Sequence, residues 1–102
     1  MIKRETTYTV SAEAVQGNPD AKATFRRITI GQHREYLERD DRNDIDMLRD
    51  HLVGWSGIVG DDGNELPSPE HEPDVIDSLY LSELRALSRV MWLGSTEDTA
   101  KN

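Results

Sequence analysis

Apolar side chains along this chain first alternate and then fall into helical stripes. Over residues 5–12, Tyr8, Val10 and Ala12 point one way and Thr7, Thr9 and Ser11 the other. That period of two, in strand-favouring residues, marks a strand with one buried face. Gly17-Asn18-Pro19-Asp20 is a turn cluster. Residues 24–30 read as a second strand, rich in β-branched and aromatic residues but interrupted by Arg26-Arg27. The two predict an N-terminal β-hairpin with a long connection. A lone hairpin is marginal in water, so it has to lean on helices or on a neighbouring subunit.

Beyond residue 30 the period changes. Thr29 and Gln32 stand at capping-box spacing, which predicts a helix over 31–41 that turns very polar at its end. Asn43 or Asp44 suits the cap of a second helix, with Asp44 and Asp46 near its positive end. Ile45, Leu48, Leu52 and Trp55 follow at steps of three, four and three, one apolar stripe over a helix 44–55 that Gly54 and Gly57 end. Pro73 suits a first helical turn. After it, Ile76, Tyr80, Leu84, Leu87 and Met91 form a longer stripe, widened by Leu79 and Val90. A helix 73–93 is expected, closed by Gly94. The small polar stretch 95–102 reads as a disordered tail. The expected fold class is α+β, mainly α: a hairpin and three helices in a single domain over 1–94.

Between the last two predicted helices lies the most distinctive segment, from Trp55 to Pro67. Trp55 is large enough to anchor the connection, because an aromatic side chain buries roughly 150–250 Å². Asp62-Gly63 is a pair suited to turns with positive backbone dihedrals. Trp55, Gly57, Val59, Asp61, Gly63, Leu66 and Pro67 therefore read as a structural loop motif, made of packing and turn residues and not of chemistry.

Composition sharpens this picture. Hydrophobic residues make up 35% of the 102 residues and mean hydropathy is −0.71, below the roughly half-apolar content of ordinary domains. A thin core is often completed by association, so self-association into a homo-oligomer is a further expectation. Net charge is −8, with six Lys/Arg and three Asp/Glu in residues 1–34 against six and seventeen in residues 35–102. The acidic majority argues against a nucleic-acid partner, since phosphate neutralisation needs clustered cations. Lys3, Arg4, Lys22, Arg26 and Arg27 form a small basic patch at the hairpin. Without cysteine, no disulfide or thiolate zinc site can form. No apolar run approaches the roughly 20 residues of a membrane span, and no signal-peptide pattern follows Lys3-Arg4; the expectation is a soluble intracellular protein without a membrane partner.

Candidate chemistry is sparse. Asp40, Asp41, Asn43, Asp44 and Asp46 miss the spacing of a calcium loop, as does Asp61 to Glu65. His33, His51 and His71 share no ligand spacing. No phosphate cradle or nucleophile elbow is recognisable. The reading is no enzyme, no catalytic residue, no metal and no cofactor. Trp92, one position from the Met91 stripe, either finishes the core or presents an aromatic anchor to a partner. The surface expected to bind a partner is Tyr80, Leu84, Leu87, Met91 and Trp92.

Gly54-Trp55-x-Gly57-Ile58-Val59, followed by Asp61-Asp62-Gly63-Asn64-x-Leu66-Pro67, then Ser68-Pro69-Glu70 and a helix, is similar to small tail assembly chaperones of long-tailed bacteriophages. The resemblance covers about residues 44–93. Ser68 stands where the family usually has an aromatic residue, and Pro73 is an addition to its pattern. The resemblance implies a non-enzymatic protein that binds the tape measure protein and helps the tail tube protein polymerise around it. It also implies a cytoplasmic location in the bacterial host and absence from the mature virion. Two rivals remain: a structural or connector protein of a phage particle, and, suggested by the acidic residues 35–102, an inhibitor mimicking nucleic acid.

Overall fold

The computed structural model describes residues 4–41 and 43–97. Its elements in chain order are β1 (Thr7–Ser11), the single-turn helix α1 (Glu13–Gln16), β2 (Lys22–Arg26), α2 (Ile30–Glu38), α3 (Asp44–His51), β3 (Leu52–Ser56), a 3-10 helix (Pro73–Ser78) and α4 (Leu81–Glu97). The strands form one antiparallel sheet in the order β1-β2-β3. Tyr8 faces Phe25 and Val10 faces Ala23 across β1 and β2, while Ala23 faces Trp55 and Phe25 faces Leu52 across β2 and β3.

This is a small mixed α/β domain with a three-stranded antiparallel sheet and about five helices, which corrects the expected hairpin with three helices. The predicted helix 44–55 ends at His51, and Leu52–Ser56 form the third strand. The reason is long-range: Ala23 and Phe25, fully buried on β2, need apolar neighbours on the same face, and Leu52 and Trp55 supply them. Gly54 fits this strand because Ser68 Oγ lies only 2.5 Å from where a Cβ would stand, a close approach of the kind that glycine permits. The predicted helix 31–41 is shorter, Ile30–Glu38. The predicted helix 73–93 is two elements, because Leu79 is extended at φ −78°, ψ 147° and α4 begins afresh at Leu81. Its last described turn includes residues 95–97 of the expected tail; residues 98–102 lie outside the described residues.

Local signals place the helix starts. The Thr29 hydroxyl accepts from the Gln32 N–H at 3.1 Å and the Gln32 side chain accepts from the Thr29 N–H at 2.9 Å, a complete capping box. Asn43 caps α3 by accepting from the Asp46 N–H at 2.9 Å. One face of the sheet is polar, with the Thr9 and Thr24 hydroxyls 2.8 Å apart. The other carries Tyr8, Phe25, Leu52 and Trp55 into a core completed by Leu48, Ile58, Ile76, Leu87 and Met91. Tyr8 ties the sheet to α4: its hydroxyl donates to the Met91 carbonyl at 2.7 Å, and its ring lies 5.6 Å from that of Phe25.

Candidate partner-binding surface

The loop after β3 is a compact hairpin. Trp55 is 8% exposed, and its Nε1 donates to the Leu66 carbonyl at 3.4 Å. Val59 bridges Glu65, and the Leu66 N–H donates to the Ile58 carbonyl at 2.7 Å. Gly57 has φ 77° and packs so closely on the 18–21 turn that an added Cβ would sit 3.0 Å from Ala21 Cα, so both conformation and space select glycine there. At the tip, Asp62 accepts from the Asn64 N–H at 3.0 Å, which holds its carboxyl below the usual range, and Gly63 completes the turn at φ 81°. Leu66 is half-buried and Pro67 exposed, while the next proline, Pro69, is buried.

Two residues fasten this loop to the helices. The Gln16 side chain donates to the Val59 carbonyl at 2.8 Å and accepts from the Val59 N–H at 2.9 Å, while also donating to Glu83 at 2.6 Å. Gln16 thereby joins α1, the loop and α4. The Tyr80 hydroxyl donates to Asp61, and this charged acceptor raises the phenol's pKa. Glu83 also accepts from the Tyr80 N–H at 2.8 Å, capping the start of α4. The role of Gln16 was not anticipated; no local pattern marks a polar side chain that bridges segments far apart in sequence.

The partner-binding set drawn from the long stripe divides. Leu84, Leu87 and Met91 are buried, Leu87 at 1% and Met91 at 0% exposure, so they cannot meet a partner in the folded chain. They are consumed in covering the sheet. Tyr80 stays exposed but is held by Asp61. Trp92 is half-buried, with its ring 5.4 Å from His33 and 5.7 Å from Tyr36, so it holds α2, a helix with no buried residue of its own.

Uncovered apolar surface lies instead beside the beginning of α4. Ile45, Ile76, Leu79, Leu81 and Leu84 line a shallow groove of about 200 Å³ with Asp77 at its border; Leu81 is 60% exposed. A smaller recess of about 110 Å³, lined by Arg49, Leu52, Pro69, Pro73, Asp74 and Ile76, adjoins it through Ile76. Arg49 and Asp77 close one side with a 2.6 Å ion pair. Asp74 lines the adjoining recess, while Asp44 and Asp46 are engaged toward α2, Asp44 accepting from the Tyr36 hydroxyl at 3.4 Å and Asp46 facing Arg39 at 3.7 Å. Leu81 escaped the stripe analysis because it stands off the core-facing side of α4, in the helix's first turn.

No family model, curated protein or solved structure matches this chain. A cleft of about 670 Å³ opens between α2, α3 and the end of β2; Arg26, Arg27, Glu35, Arg39, Asp50 and His51 are among its lining residues. It carries both signs of charge. Arg39 faces Asp41 at 3.2 Å and Asp46 at 3.7 Å, and Arg26 donates to the Asp50 carbonyl at 3.0 Å. His51 is buried, and burial is the main cause that lowers its pKa; the Asp50 charge and a hydrogen bond with the Arg26 main chain oppose this, and the Arg26 charge adds to it. The expected basic patch is split: Arg26 and Lys22 are exposed, Arg27 is half-buried in the cleft, and Lys3 lies outside the described residues. Among the described residues, no group of three His, Asp or Glu side chains converges as metal ligands do. No helix there is long and apolar enough to cross a membrane.

Proposed function

We propose that this chain is a non-enzymatic assembly chaperone of a phage tail, binding an apolar helical segment of the tape measure protein while tail tube subunits polymerise. The observation that carries the reading is the uncovered groove of Ile45, Leu79 and Leu81 with Asp77 at its border. An amphipathic helix laid in such a groove places its apolar anchors inside and its flanking residues at the rim. Asp74 beside the groove favours a partner with Lys or Arg at that flank, and the net charge of −8 favours its approach. The loop from Trp55 to Pro67, similar to that of the tail chaperones, supports the same reading by fixing where α4 starts, through Asp61 and Tyr80. In this reading the protein works in the bacterial cytoplasm and is absent from the finished virion.

The test is co-expression with a fragment of a tape measure protein. The tape measure fragment should stay in solution and co-purify with this chain. Leu81→Asp, at an exposed position, should leave the fold intact and weaken capture at least tenfold. A fragment equally soluble alone, or captured equally by the Leu81→Asp variant, overturns the proposal.

A further inference from the structure

We propose that β1 pairs antiparallel with β1 of a second copy of this chain, centred on Thr9, to build one six-stranded sheet across a dimer. The two edges of the sheet are unlike. At β3 the register shifts beside Gly54, the Ser68 hydroxyl lies over Gly54 so closely that an added Cβ would be 2.5 Å from it, and buried Pro69 follows. That edge is irregular. At β1 the five residues carry no charge, no proline and no bulge, and these are the devices by which natural edges avoid pairing.

The direction of the main-chain groups follows from the ladder. The Arg27 N–H donates to the Thr6 carbonyl at 2.9 Å and the Ala12 N–H to the Ala21 carbonyl at 2.8 Å. In an antiparallel pair, hydrogen-bonded positions alternate, so even-numbered residues bond inward to β2. Thr7, Thr9 and Ser11 then present their N–H and C=O groups to the open edge.

These groups are self-complementary. A dyad at Thr9 sets Thr7 against Ser11 of the second copy and Thr9 against its own counterpart, giving about six main-chain bonds. On the polar face, the row formed by Thr9 and Thr24 continues across the join. On the inner face, Tyr8 meets the second copy's Val10, an aromatic and β-branched pair of the kind that stabilises sheets.

Helix α4 adds apolar area beside the same edge. Gly94 lies directly beneath β1, where an added Cβ would be 2.7 Å from the Tyr8 ring and 3.2 Å from Val10. Val90, one turn earlier, and Ala86, a turn before that, share this flank of the helix, both partly buried against the core. Leu93 beside them is exposed. A second copy is the occupant that fits, because residues 7–11 bring no like charges into register even though each chain carries −8. Six strands is also an ordinary sheet size.

The experiment is light scattering across a concentration series, joined to amide hydrogen exchange. The wild-type chain should show a mass twice its 11.6 kDa, with the Thr7, Thr9 and Ser11 amides protected. Raised salt should strengthen association by screening the remaining repulsion. Thr9→Pro removes the central outward donor, a position where proline suits an edge strand, and should yield monomers. Thr9→Lys, which opposes two like charges at the dyad, should do the same and decides the matter if Thr9→Pro does not fold. A wild-type monomer at every concentration, a fast-exchanging Thr9 amide, or a dimer that persists in the variants overturns the proposal.

Discussion

Gly94→Ala sets two effects of similar size against each other. In an exposed helix this change stabilises by about 1 kcal/mol, through lower unfolded-state entropy and better propensity. At Gly94 the new methyl would lie 2.7 Å from Tyr8 Cε2 and 3.2 Å from Val10 Cγ1. The tyrosine cannot simply swing aside. Its hydroxyl is bonded to the Met91 carbonyl and its ring is packed on Phe25. Overpacking a well-filled site costs about 1–3 kcal/mol, and loss of the hydroxyl's bond costs about 1 kcal/mol more. The balance is a destabilisation of about 1–3 kcal/mol, or a fall in Tm of about 4–24 °C for a domain of this size. Thermal and urea unfolding followed by circular dichroism measure it. In the Tyr8→Leu background the closest obstacle is gone and the 3.2 Å approach to Val10 remains, so Gly94→Ala should cost much less than it does with Tyr8 intact. A Gly94→Ala variant that melts above the wild type with Tyr8 intact would refute the close crossing of α4 under β1.

Trp55→Ala removes a buried ring and the Nε1 bond to Leu66, and should cost about 3–5 kcal/mol; an unchanged urea midpoint would show that the loop is anchored otherwise. His51 has a folded pKa lowered below 6.5, mainly by burial, so the unfolded chain binds its proton more readily than the folded one. Its contribution is complete above about pH 6.5 and is lost as pH falls from there through the folded pKa. Urea midpoints measured between pH 7.5 and 5 should therefore drop, and the drop should be smaller in His51→Gln; equal slopes in the two proteins would contradict the burial argument.

Much of the local structure was legible because its causes are local. The alternation of Tyr8, Val10 and Ala12, the Thr29–Gln32 box and the Asn43 cap each involve residues a few positions apart. The third strand was not legible for the opposite reason. Ile45, Leu48, Leu52 and Trp55 satisfy a helical period, and nothing nearby says that Leu52 and Trp55 will be claimed by Phe25 and Ala23, about thirty residues earlier. Gly54 was the local hint, since it suits a strand that Ser68 approaches closely. The stripe through Leu84, Leu87 and Met91 was correctly apolar but was assigned to a partner. Once a third strand widens the sheet, those side chains are needed to cover it.

The same helix that closes the core separates the two faces argued to bind other chains. At 3.6 residues per turn, Leu81, Ser88 and Trp92 fall on one flank of α4, turned toward α3 and α2, as the groove with Ile45 and the ring contacts of Trp92 require. Glu83, Val90 and Gly94 fall on the other, turned toward α1 and β1, as the Gln16 bond and the Tyr8 crossing require. A partner helix in the groove therefore leaves the β1 edge untouched, and pairing at β1 leaves both grooves open. Two copies joined at β1 present two such grooves held at a fixed separation. For a long helical partner with repeated apolar segments, the second contact then becomes intramolecular, and its strength is set by effective concentration and not by the affinity of one shallow groove. A groove of about 200 Å³ is small for tight capture by itself, and joining two of them lets weak sites hold a long chain while each contact remains easy to release.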